Sequence, residues 1–272
     1  MKTNYKQSIR TGITIFAVFL VGMWQNTLAQ SGYPSRNYIP SGHSVIVPSQ
    51  PEQNYPQHNN PNFYAAGIQP IINFSIHFDP LISWFSTNNY DTHNDGVVPG
   101  FNFGLSYNRY FRPNYSFSSG INIINAGGRL ISKESTYLDF KNSNSVTVPP
   151  GVAVTYKITY ISIPLGIKLQ TSQIGHGRFF TDLGFDPKIL VSGRANIPSL
   201  DIKGGNAMSE LNMFNLSFHV TAGMEYPLSP NNDLEIGMGF DHNLFDTTSS
   251  KGYPSSDMVY QKSLSFRIGI TF

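Results

Sequence analysis

Met258 to Phe272 read MVYQKSLSFRIGITF. Met258, Tyr260, Leu264, Phe266, Ile268, Ile270 and Phe272 share one side of a period-two ribbon, and Gln261, Ser263, Ser265, Arg267, Gly269 and Thr271 share the other. A strand with one oily and one wet face, ending on an aromatic, is expected to close a barrel in a membrane. The outward exception is Lys262, ten residues before the last. At about 3.3 Å per residue and a tilt of roughly 40° it stands about 25 Å up, the height of an apolar band, where an ammonium reaches headgroups.

The same alternation recurs upstream. Ile72, Phe74, Ile76, Phe78, Ile82 and Trp84 form a first outward face, with a bulge expected at Pro80. Phe101 to Phe111 and Tyr115 to Ile123 give the second and third strands. In the fourth, 154–169, Tyr156, Ile158 and Tyr160 fall on the opposite parity from Ile161, Ile163, Leu165, Ile167 and Leu169, so a bulge near Tyr160 is predicted. Strands five to seven follow at Phe179–Val191, Phe214–Tyr226 and Leu234–Leu244, and the closing stretch is the eighth. Their connections alternate long and short, beginning and ending long. That rhythm predicts an all-β, eight-stranded antiparallel up-and-down transmembrane barrel, residues 70–272, with brief periplasmic turns and longer external loops. Trp84, Phe214 and Tyr260 are placed at the outer interface, and Tyr115, Phe179, Tyr226 and Phe272 at the inner one. Because hydrocarbon offers no partner to a free N–H or C=O, strand one is expected to pair with strand eight. Eight strands are about filled by their own side chains, which argues against a wide pore.

Residues 1–29 read as a signal peptide: Lys2, Lys6 and Arg10, an apolar run from Ile13 to Trp24, and a cut expected after Ala29. Residues 30–69, rich in Pro, Asn and Gln, read as a disordered periplasmic arm, a spacer, a docking segment or a lumen plug. The chain has no cysteine, which excludes disulfides and a lipidated cysteine. Charged residues are 12% and the net charge is +2, leaving no footprint for nucleic acid. A mean hydropathy of -0.20 fits a barrel, in which only alternate residues face lipid.

The inward positions carry the only candidates for chemistry. Parity turns Asp79, Asp182, Asp186, Lys188, Glu225, Glu235, Asp241 and Arg267 into the lumen, where Arg267 is expected to pair with Glu235 or Glu225. His77 and His219 also face inward, near serines, and are the residues an enzyme reading would use. Seven scattered histidines without ligand spacing, and no cysteine, give no metal site. Gly127, Gly128, Gly237 and Gly239 are read as close strand packing. No catalytic, cofactor-binding or metal residue is assigned.

Several stretches are similar to the outer-membrane β-barrel family widespread in Bacteroidota, the group that includes PorT-like proteins. They are PLISWFS (80–86), FNFGLSYNRYFRPNYSFSSGINIINAGGRL (101–130), ITYISIPLGIKLQT (158–171), HVTAGMEYPLSPNNDLEIGMGF (219–240) and the closing LSFRIGITF. The resemblance implies an eight-stranded barrel in the outer membrane, and PorT itself is associated with type IX protein export. The combined expectation is an exported, non-enzymatic outer-membrane barrel with a structural or protein-interaction role, an accessory to an export or uptake assembly. Its expected partners are outer-membrane lipid, lipopolysaccharide and outer-membrane or periplasmic proteins. A small-solute channel and a lipid- or peptide-modifying barrel enzyme are the alternatives.

Overall fold

A computed structural model describes residues 72–88, 91–140, 145–229, 232–249 and 258–272. The expected leader, 1–29, and arm, 30–69, lie outside the described residues. Among the described residues thirteen strands form: β1 (Ile72–Thr87), β2 (Thr92–Asn94), β3 (Val98–Arg112), β4 (Tyr115–Ser132), β5 (Thr136–Leu138), β6 (Val146–Val148), β7 (Ala153–Ser162), β8 (Leu165–Gln170), β9 (Arg178–Ile197), β10 (Ile202–Asn206), β11 (Phe214–Ser229), β12 (Asn232–Asn243) and β13 (Val259–Thr271). Eight staves close into a ring, β1, β3, β4, β7 with β8, β9, β11, β12 and β13, every neighbouring pair antiparallel. The seam joins β1 to β13, from Ser75 opposite Thr271 to Thr87 opposite Val259. Phe74 and Phe272 extend it by exchanging backbone bonds of 3.4 and 2.8 Å. With no edge left unpaired, the backbone of the ring can sit in hydrocarbon. Among the described residues no helix is long and apolar enough to cross a membrane.

The outward face follows the period-two reading. On β1 every even residue from Ile72 to Ile82 is exposed and every odd one buried; on β13 Leu264, Phe266, Ile268 and Ile270 are exposed. Arg112 to Tyr115 and Ser229 to Asn232 connect strands tightly at one end, here the turn end. At the other, the loop end, the connections carry β2, the β5–β6 hairpin, β10 and two short 3₁₀ turns.

Three expectations need correcting. Pro80 makes no bulge: Phe78 faces Ile268 and Leu81 faces Ser265, so the register is the same on both sides of it. Its ring simply points outward, at the cost of one ladder donor. The fourth stave does not change face near Tyr160. Even residues Val154, Tyr156, Ile158, Tyr160 and Ser162 are all buried, and Gly166, Lys168 and Gln170 continue that parity. The bulge lies instead on β9, where Thr159 and Tyr160 face Ser192 and Leu190, leaving Val191 over. Beyond it the inward residues of β9 change from even to odd: Leu190 is 5% exposed, Ala195 and Ile197 0%. Third, the interior is not watery throughout. Near the loop end the lumen holds an apolar core.

That core is built from inward residues of five staves, among them Phe85, Leu130, Tyr156, Ile158 and Ile197. The loops add Leu138, Phe140 and Val148 from around the β5–β6 hairpin, and Ala207 and Leu211 from the segment before β11. Gly128 makes room for it: a Cβ there would stand 2.3 Å from the Phe85 ring, which meets Tyr156 edge-on at 6.1 Å between centroids.

Candidate functional site

Below the apolar core, inward positions are polar and interlocked. Lys168, 3% exposed, bridges Glu225 at 2.7 Å and Glu235 at 2.9 Å. It lies on the fourth stave and its partners on the sixth and seventh, so it reaches across the lumen. Its ammonium also stands 4.5 Å from the centre of the Phe180 ring, which fills the space beside Gly223. Glu225 accepts bonds from Gln170 at 2.6 Å and Arg178 at 3.2 Å, and Arg178 also grips Asp233. Glu235 and Asp79 both lie 3.4 Å from the Arg267 guanidinium. Arg267 therefore takes Glu235, one of its two expected partners; Glu225 goes to Lys168 and Arg178.

A second group lies further along. The His219 ring stands between two carboxylates, Nδ1 2.8 Å from Asp186 and Nε2 3.6 Å from Asp182, while Ser118 donates to Asp182 at 2.8 Å. Lys188 bonds Asp241 at 2.7 Å and Asn243 at 3.2 Å, and Ser217 donates to Asp241 at 2.7 Å. All eight charged positions assigned to the lumen do point there. Lys168, Arg178 and Asp233 join them in the network without having been among the eight. For Lys168 the signal was present, because placing Ile167 and Leu169 outward turns the residue between them inward.

Between network and apolar core is a cavity of about 60 Å³, lined by His77, Asp79, Asn102, Asn122 and Arg267 among others. Each of these five presents one buried polar atom without a hydrogen-bond partner: His77 Nε2, Asp79 Oδ1, Asn102 Oδ1, Asn122 Oδ1 and Arg267 Nε. Such a pocket suits a few waters. It does not make a nucleophile. Both His219 nitrogens face carboxylates. His77 turns Nδ1 to Asp79 at 3.0 Å and lays Nε2 against Gly104, where a Cβ would stand 2.4 Å away. Neither ring bonds a serine among the described residues, so the hydrolase geometry, nucleophile to base to orienter, is not assembled there. No group of three or more His, Cys, Asp or Glu that could hold a metal occurs among them.

A closed ring of eight antiparallel staves, greasy outside and tied by ion pairs within, defines an outer-membrane β-barrel protein. Residues 57–249 match the family model described as outer membrane protein beta-barrel domain, and the chain belongs to that family. No curated protein matches the sequence. Similar solved structures include Neisserial surface protein A, at 14% identity and a TM-score of 0.40, over 73% of this chain and 95% of that one. OprG from Pseudomonas aeruginosa follows at 9% and 0.41, over 75% and 96%. The outer membrane protease OmpT from Escherichia coli is similar at 8% and 0.38, over 76% and 99%. Likeness at this level says nothing of role.

Proposed function

We propose that the barrel is a closed, non-enzymatic scaffold of the outer membrane that works by protein contact, with its loop end outside the cell and its turn end in the periplasm. The observation that carries this is the filling of the lumen from both sides: buried ion pairs around Lys168 and Arg267 toward the turn end, and the Phe85, Leu130 and Tyr156 core toward the loop end. A solute would have to break several buried pairs and then displace close-packed apolar side chains. Reconstituted into planar bilayers, the protein is expected to give no single-channel steps. Regular steps in the unmodified protein would revive the channel reading.

Contact surfaces are available at the loop end. The β5–β6 hairpin is fixed from below by Leu138 and Val148 and presents Tyr137, 53% exposed. The following loops are tied by Asp246, which accepts from the Thr248 and Val259 backbone at 3.0 and 2.9 Å. A surface held this way binds without a large ordering cost. This supports an accessory role in an export assembly, type IX-like as the resemblance to PorT-like proteins implies, or in an uptake assembly. The N-terminal arm, 30–69, is the second docking candidate. Pull-downs from native membranes with and without residues 31–69, alongside a photocrosslinker at Tyr137, separate the two. If neither change alters what co-purifies, the contact reading is wrong.

A further inference from the structure

We infer that the outer wall of β4, β7 and β9 carries a binding site for the phosphates of lipopolysaccharide, built around Lys157 and Arg194. The three strands change character in level rows. Ile123, Ile161 and Ile189 lie side by side, facing outward. Two positions higher on β4 and β7, Asn125 donates to Thr159 at 3.0 Å. One step further up, Lys157 stands directly opposite Arg194 on one side and Gly127 on the other, and Arg129 follows on β4.

Outward direction is fixed by the neighbours. Tyr156 and Ile158 flank Lys157, and Ala195 follows Arg194, all at 0% exposure inside. Lys157 and Arg194 are both exposed. Lys157 sits four residues beyond Ile161; at about 3.3 Å per residue and a tilt of roughly 40° that is about 10 Å above the isoleucine row. Acyl chains end near there and headgroup phosphates begin. Gly127, itself buried, places no side chain beside Lys157, and Arg129, 3.4 Å from Asp95, lies two residues further along β4.

The pairing itself asks for an anion. Like charges directly opposite on neighbouring strands repel, and among the described residues no acid answers either Lys157 or Arg194. A doubly phosphorylated glycolipid removes that repulsion: the guanidinium grips one phosphate through two parallel N–H bonds, the ammonium supplies a compact charge to the same or the second phosphate, and the isoleucine row receives the acyl chains. This rests on the loop end facing outward in the cell, but the test does not.

Folded protein in detergent is titrated with hexa-acylated, bisphosphorylated lipid A and bound lipid is counted by native mass spectrometry. Dephosphorylated lipid A and phosphatidylglycerol are the comparison lipids. At least tenfold preference for the bisphosphorylated form is expected. Lys157→Gln with Arg194→Gln should abolish that preference, while Arg109→Gln with Arg112→Gln, exposed near the turn end, should keep it. Without lipid A the first double variant should be at least as heat-stable as the parent, since a repulsion has gone. Wild-type binding by that variant, equal binding of phosphatidylglycerol, or a loss of fold in plain detergent would each overturn the site.

Discussion

Replacing Lys168 by methionine keeps the length of the side chain and removes its charge from the point where two buried carboxylates meet. The two do not suffer equally. Glu225 retains Gln170 at 2.6 Å and Arg178 at 3.2 Å, whereas among the described residues Glu235 retains only Arg267 at 3.4 Å, shared with Asp79. The uncompensated charge therefore falls mainly on Glu235, and the expected cost is that of one broken buried pair, about 3–5 kcal/mol. That is roughly two to three and a half powers of ten in the folding constant. Urea titration of the liposome-embedded barrel, followed by the gel shift between folded and heat-unfolded forms, reads it directly. Lys168→Met with Glu235→Gln should recover most of the loss, because a neutral side chain at 235 no longer needs a counter-ion. A single variant that unfolds within about 1 kcal/mol of the parent, or a double variant no better than the single, would refute the account of the lumen as an interdependent network.

Three further outcomes test other parts of the barrel. Pro80→Val should raise stability by about 1 kcal/mol, the worth of one restored ladder bond, because the register through Pro80 is unbroken and the side chain faces outward; a loss would mean that the ring holds a bend after all. Gly128→Ala should cost about 1–3 kcal/mol by overpacking, since the new methyl would stand 2.3 Å from the Phe85 ring, and Phe85→Leu in the same chain should return part of it. The absence of natural cysteine makes orientation simple to read: a cysteine at Tyr137 should react with a membrane-impermeant maleimide on intact cells, one at Asn114 only after lysis, and the reverse pattern would invert the topology.

What the sequence makes legible follows from which medium each face meets. Hydrocarbon tolerates little but apolar side chains, so along β1, β3, β11 and β13 the outward set can be read residue by residue, and its members are exposed or half-buried, never buried. The same rule misleads where the staves rise past the membrane. There the outside is water and the inside is apolar packing, so Tyr156, Ile158 and Tyr160, read by the lipid rule, look like a change of face when they are inward residues of an unbroken strand. On β9 the true change is hidden for the complementary reason. Phe179, Leu183, Phe185, Ile189, Val191, Ala195 and Ile197 form one odd-numbered apolar series, yet Val191 faces lipid and Ala195 and Ile197 face the core, and the bulge between them leaves no mark in the pattern. Partner choice in the lumen is less legible still. Parity says that Lys168, Glu225, Glu235 and Arg267 point inward, but which of them meet depends on the stagger between staves and on which side chains are long enough to cross. Lys168 reaches past β9 to two other staves across the Phe180 ring, which lies in the space beside Gly223, and that is a property of the closed ring, which no single strand carries.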